Sequence, residues 1–179
     1  MLKKVIFTIL VIFNLLFLTY LSLPTPTLKD LPSSAKSDEP GDTVQLKNVA
    51  GYYTNLSRTE VMNFYRATYT SPLLIRLNHP PEFAKTIFRD TMQSYYLEEF
   101  HLPLKESLYI NGFEWENDVF TKPEKRITNK LIYKGKEYRS KITIRTIPTP
   151  LTSRLIVFFG TEIALFSLYY LYRKFLRKI

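Results

Sequence analysis

Residues 155–172 read LIVFFGTEIALFSLYYLY, with Arg154 just before the run and Arg173–Lys174 just after it. At ~1.5 Å per residue in a helix, such a run covers roughly 27 Å, close to the thickness of a bilayer's hydrocarbon core. It predicts a membrane-spanning helix. Residues 5–23, VIFTILVIFNLLFLTYLSL, repeat the same length and character at the other end. The fold therefore reads as a polar middle hung between two spans.

The first run resembles a signal peptide in having a basic start, MLKK, before an apolar stretch. It is too long for one, since a signal h-region covers about 7–15 residues. No small-x-small cleavage site follows it, only Leu23-Pro24-Thr25-Pro26. An uncleaved signal anchor is expected. Cleavage near 24–33 is the alternative, and it would leave the chain held by its C-terminal helix.

The chain has 179 residues and a net charge of +9, and the excess is unevenly placed. Lys3 and Lys4 lie in the first tail; Arg173, Lys174, Arg177 and Lys178 lie in the last, with no acid in either. Residues 24–152 carry 18 basic and 15 acidic side chains, close to balance. Basic residues beside a span tend to stay cytoplasmic. Both tails (1–4 and 173–179) are thus expected inside, and the middle is expected outside the cell membrane. Arg139, Lys141, Arg145 and Arg154 precede the second span closely and argue the other way. They do so weakly, because the rule loses force over connections longer than about 60 residues. The basic excess is a topology signal, and no nucleic-acid partner is expected.

There is no cysteine. Disulfides, thiol catalysis and thiolate metal sites are excluded. Between the spans, roughly 100 residues remain once polar linkers are set aside, enough for one small domain with its own core.

Residues 24–46 are rich in Pro, Ser, Thr and Asp, with few apolar residues and no periodicity. They read as a disordered tether. A domain over 47–148 follows, beginning near Asn48, and 149–154 form a short second linker. Ser57-Arg58-Thr59-Glu60 is a capping box, in which hydroxyl and carboxylate close each other's orphan backbone donors. Val61, Met62, Phe64, Tyr65 and Tyr69 then recur at helical spacing and predict a helix over 58–69, ended by Ser71-Pro72. The short apolar run 73–77 suits a strand. Tandem proline at 80–81 followed by Glu82 suits a helix start. Phe83, Ala84, Ile87, Phe88 and Met92 mark that second helix over 81–94.

From Tyr95 the pattern becomes extended. Asn111-Gly112 predicts a hairpin turn within 108–113. Stretches 126–133 and 137–147 predict a second hairpin around Lys134-Gly135-Lys136. In its last strand Tyr138, Ser140, Ile142, Ile144 and Thr146 fall on one face, and Arg139, Lys141, Thr143 and Arg145 on the other. Two helices followed by antiparallel strands make a small α+β domain between N- and C-terminal spans.

Glu162 is the sharpest candidate residue. A carboxylate at the centre of a span costs ~2.5–3.5 kcal/mol on insertion scales, so it usually faces protein. Asn14 lies at matching depth in the first span, and a hydrogen bond between Asn14 and Glu162 joining the spans is expected. Contact with a partner's membrane helix, or a proton relay, would use Glu162 differently. A relay normally needs more than one intramembrane acid. Gly160, Ala164 and Ser167 form a small-residue stripe almost opposite Glu162 on the helix, a packing face for another membrane protein or a second copy.

Residues 122–145 carry nine basic and two acidic side chains, whereas 82–118 carry eight acidic and three basic. The face with Arg139, Lys141 and Arg145 is a candidate for anionic lipid or an anionic wall polymer. The plainer reading is that the two halves offset each other.

His79 and His101 with Glu98 and Glu99 lack any metal-site spacing such as HExxH and read as ordinary loop histidines. Adjacent Glu98 and Glu99 would point to opposite faces of a strand, so they do not form a catalytic pair. The acidic loop around Trp115 fails the calcium-loop pattern. Asn55-Leu56-Ser57 fits a glycosylation acceptor, but Ser57 already has a capping role. Glycine-rich phosphate loops, Gly-x-Ser-x-Gly elbows and cofactor motifs are missing from the sequence.

The expectation is a non-enzymatic, two-span subunit or scaffold of a cell-envelope complex, its partners the lipid bilayer and other membrane proteins or further copies of itself. A ligand sensor is the alternative. A hydrolase would need distant acids such as Asp90, Glu106 or Glu114 to meet.

Overall fold

A computed structural model describes residues 1–39, 48–88, 94–118 and 121–176. The chain forms two compact units: 1–24 together with 149–179, and 25–148.

The first unit pairs the two apolar helices, α1 (Leu2–Ser22) and α4 (Leu151–Leu176). Both are long and apolar enough to cross a membrane. They touch where Phe17, Leu18, Tyr20 and Leu21 of α1 meet Phe158 of α4. The Phe17 and Phe158 rings lie 6.0 Å apart.

The second unit is an α+β domain built on a six-stranded antiparallel sheet. Its strands are β1 (Ser34–Lys36), β2 (Val49–Thr54), β3 (Ile75–His79), β4 (Tyr96–Leu102), β5 (Glu106–Glu114) and β8 (Ser140–Pro148). The spatial order is β1-β2-β8-β5-β4-β3. A separate small ribbon pairs β6 (Leu131–Tyr133) with β7 (Lys136–Tyr138).

Helix α2 (Arg58–Thr68) starts at the expected capping box. The Ser57 hydroxyl accepts from Glu60 N, and the Glu60 carboxylate accepts from Ser57 N at 2.8 Å. Its face of Val61, Met62 and Tyr65 packs on one side of the sheet, against Ala50, Tyr52, Tyr96, Phe100, Leu108, Ile110, Ile142 and Ile144. These sheet residues are all even-numbered because side chains alternate along each strand and every register pairs even with even numbers. Ser140, Ile142 and Ile144 of β8 are buried, as the alternation predicts.

The opposite face is covered in part by a 3₁₀ turn at Pro81–Phe83 that continues into α3 (Ala84–Ile87). Ala84 and Phe88 pack there on Leu97. The helical reading of 81–94 holds through Ile87. Phe88 is already extended, and 89–93 lie outside the described residues.

Three expectations are corrected. Of the tether expected over 24–46, residues 25–39 belong to the domain: β1 pairs with β2, and Leu31 is buried with Leu28 packed beside it, while 40–46 lie outside the described residues. A few well-spaced leucines and a three-residue strand suffice to order a stretch whose average composition is polar. Asn111-Gly112 is not a turn but lies inside β5. The hairpin turn joining β4 to β5 is Pro103-Leu104, where Lys105 N donates to Leu102 O at 2.9 Å. Proline suits the first central position of such a turn, while Leu104 takes the positive φ (59°) that glycine usually fills. Finally, 123–129 form a 3₁₀ helix, so only 131–133 of the expected strand 126–133 is extended. The hairpin around Gly135 does form. Lys134 and Gly135 both have positive φ, as a two-residue type I′ turn requires.

Candidate functional site

In the helix pair, Arg154 and Phe158 of α4 meet α1, and Leu155 and Glu162, at helical spacing from them, are partly buried. On α1, Phe17, Leu18, Tyr20 and Leu21 make that contact, and Asn14 lies one turn before Phe17 and Leu18. Asn14 and Glu162 are both partly buried. The Asn14 amide donates to Leu10 O at 3.1 Å in its own helix, and no hydrogen bond joins it to Glu162 among the described residues. Gly160, Ala164 and Ser167 are exposed, away from α1. A Cβ at Gly160 would meet open space.

Arg154 was legible only as a charge beside a span. It is 8% exposed, and its guanidinium donates to Leu21 O at 3.2 Å and to Thr149 O at 2.8 Å. A cation in the first turn of α4 opposes that helix's own dipole, but it suits the negative C-terminal end of α1, whose last carbonyls have no intrahelical partner. Arg154 caps the other helix. Replacing it with leucine is expected to loosen this end of the pair by ~1.5–3 kcal/mol, the usual worth of a hydrogen bond to a charged group. A bifunctional thiol crosslinker between Leu18→Cys and Phe158→Cys would read the loss as a drop in yield.

In the domain, strand register gathers polar groups that are scattered in sequence. Glu98 and Glu99 do point to opposite faces of β4. Glu98 is 0% exposed on the α2 face. Arg58, at the start of α2, donates to it through Nε at 3.0 Å and through Nη2, and Arg76 of β3 donates through Nε and Nη2, both at 2.8 Å. Burial alone would raise the Glu98 pKa. Hydrogen bonds from Arg76 and Arg58 outweigh it and hold the carboxyl below its ordinary range. Arg58 also lies over the Tyr96 ring, 4.9 Å from its centroid. The same arginine lines an open cleft of about 340 Å³ with Asn78, His79, Pro80, Pro81, Tyr95 and Tyr96.

On the other face Glu99 receives both histidines. His79 Nε2 lies 2.6 Å from Oε2, and His101 Nδ1 lies 3.3 Å from Oε1. Ser107 donates its hydroxyl to Oε1 at 2.6 Å. His101 Nδ1 is 2.9 Å from Ser107 Oγ, whose proton is already given to Glu99. His101 is therefore the donor to Ser107, the reverse of what nucleophile activation needs. Burial pushes the Glu99 pKa up, but hydrogen bonds from Ser107, His79 and Tyr109 leave it lowered. The two histidines were expected as unrelated loop residues. They meet because β3 and β5 flank β4 with Leu77 and Tyr109 opposite Glu99. No group of three or more His, Asp or Glu side chains among the described residues is placed to hold a metal ion.

The basic residues of β8, and Arg139 just before it, are partnered within the domain. Arg139 lies 3.8 Å from both Glu114 and Glu116. Lys141 reaches Glu39 at 3.1 Å and covers the Tyr53 ring, and Arg145 donates to Ile87 O. Trp115 has Lys130 over its ring at 5.4 Å, and Asn117 and Asn129 close on Glu114 and Asp118. Glu106 accepts from the Tyr69 hydroxyl at 2.5 Å. Asp90 lies outside the described residues.

Compared with protein-family models, curated proteins and solved structures, the chain matches none of them.

Proposed function

We propose that this chain is a two-span membrane protein with both termini cytoplasmic and the domain at 25–148 on the outer side. It serves as a non-enzymatic subunit or scaffold of a cell-envelope complex. The observation that carries the membrane part is the burial of α1 and α4. In their most apolar 18-residue windows only 11% and 6% of residues are buried. The core helix of a soluble domain would be mostly covered, and an apolar surface of this extent in water is a liability.

Polar side chains on the helices support the same reading. Thr8, Asn14, Thr19 and Ser22 of α1 and Thr161 of α4 each bond the carbonyl four residues earlier, which satisfies them without water. Arg154 holds α1 to α4, which favours retention of α1 over its removal as a signal sequence. The scaffold part rests on the exposed Gly160–Ala164–Ser167 side of α4, left open to another helix, and on the pairing of Arg58, Arg76, Arg139 and Lys141 with acids of the same domain.

Cysteine accessibility tests the arrangement in a chain with no cysteine of its own. Single cysteines at Ser34, Lys134 and Lys178 are treated with a membrane-impermeant thiol reagent on intact cells. Labelling at 34 and 134, with protection at 178, is expected. Labelling at 178 alone would put the domain in the cytoplasm and overturn the orientation.

A further inference from the structure

We propose that β3 is a self-association edge, on which a second copy of this chain pairs its own β3 antiparallel about a two-fold axis through Leu77. Strand β3 ends the six-stranded sheet. Its five residues pair with β4 on the inner side, and no strand covers its outer side among the described residues. A bare edge offers a row of backbone donors and acceptors to another strand, and proteins normally blunt it with charge or shortness.

The other free edges are blunted in this way. Strand β1 has three residues and carries Lys36, ion-paired with Asp30. The β6–β7 ribbon is bounded by Lys130, Lys134, Lys136 and Glu137. Strand β3 has one charged residue, Arg76, and that guanidinium is committed to the buried carboxylate of Glu98. Its neighbours Ile75 and Leu77 are 45% and 40% exposed, apolar side chains left half in water beside an open row of backbone groups.

The sequence of β3, Ile75-Arg76-Leu77-Asn78-His79, is self-complementary in one register. With Leu77 opposite Leu77, Ile75 meets His79 and Arg76 meets Asn78. One side of the joined sheet then carries a leucine pair flanked by two isoleucines, and no like charges stand directly opposite, which would be destabilising. Centring on Arg76 instead would set two guanidiniums face to face. Centring on Asn78 would run each strand onto the partner's Pro80 and Pro81, which cannot donate to a ladder. A two-fold contact requires this kind of self-complementary patch, which is why the occupant is a second copy rather than a foreign strand. The pairing deepens the scaffold reading by naming one subunit of the complex. It is a contact between folded domains and does not depend on the membrane assignment.

Directly opposed residues of antiparallel strands have Cα atoms ~4.5–5.5 Å apart, within the range a disulfide spans. The full chain with Leu77→Cys, solubilised in mild detergent and gently oxidised, is expected to give a disulfide-linked species at twice the 21.1 kDa chain mass. Asn78→Cys, whose residue faces Arg76 of the other copy, is expected to give none. Adding Ile75→Lys to Leu77→Cys should reduce its crosslinking to the Asn78→Cys level, with circular dichroism and melting unchanged from the parent. Equal crosslinking at 77 and 78, or none at 77, would overturn the proposal. Release of the chain from membranes by alkaline carbonate would count against the membrane reading alone and leave the crosslinking result standing.

Discussion

Replacing Gly112 with valine is expected to cost the domain about 3 kcal/mol, the upper end of the usual penalty for overpacking a core. A small domain has only ~5–15 kcal/mol in total. Gly112 stands directly opposite Tyr96 in the β4–β5 ladder, and the phenol ring lies across it. A Cβ there would fall 2.1 Å from Tyr96 Cζ and 2.6 Å from its hydroxyl oxygen. The ring cannot swing clear cheaply, because Tyr96 is buried in the α2 core and roofed by Arg58. Denaturant unfolding of the full chain would measure the loss. Pairing Gly112→Val with Tyr96→Leu should recover much of it, giving a coupling opposite in sign to the single-site costs. Tyr96→Leu should itself be mild for a core change, since it removes a buried hydroxyl with no hydrogen-bond partner among the described residues.

The second large effect belongs to Glu98. Removing Arg58 and Arg76 together, each to alanine, is expected to destabilise by ~3–5 kcal/mol, because a fully buried carboxylate would be left without its cations. Adding Glu98→Gln should restore part of the loss. The pH dependence has a definite sign. In the native chain the Glu98 and Glu99 pKa values are lowered from 4.5, so their stabilisation is present above that value and is lost as pH falls through their folded values. In the double arginine variant burial alone acts on Glu98 and raises its pKa. Its deficit should therefore be greatest near neutrality and shrink on acidification toward pH ~4, near the unfolded value. Melting temperatures of the two proteins across that range would converge. Parallel curves would show that the arginines do not compensate Glu98.

The features legible in the sequence are the local ones. The capping box at Ser57 and Glu60, the apolar face of α2, the alternation in β8 and the turn at Gly135 each depend on residues a few positions apart. Asn111-Gly112 misled because glycine has two uses: here it makes room for a ring across the sheet, and only the register reveals that. Residues 25–39 misled because average composition hides where Leu28 and Leu31 fall. The meeting of His79, His101 and Ser107 on Glu99 requires three strands in one register, which no single stretch encodes. Depth counting along the two apolar runs put Asn14 and Glu162 at matching depth and led to the expected hydrogen bond between them. It could not foresee that the Asn14 amide turns to its own helix, nor that Arg154 would cap the neighbouring one.

Strand β8 sits between β2 and β5, although it is the last strand in the chain. Until it is present, the sheet exists only as two pieces, β1 with β2 and β3 with β4 and β5. A ribosome delivers those pieces early and the wedge that joins them last. The sheet therefore cannot close before residue 148 has been made, by which point the first residues of α4 are next in line. Such long-range pairing is slow, because the intervening loop must be closed before the contacts repay it. For most of its synthesis the chain carries unjoined strands with bare edges. Any chaperone that attends it has to hold them apart until the penultimate element arrives.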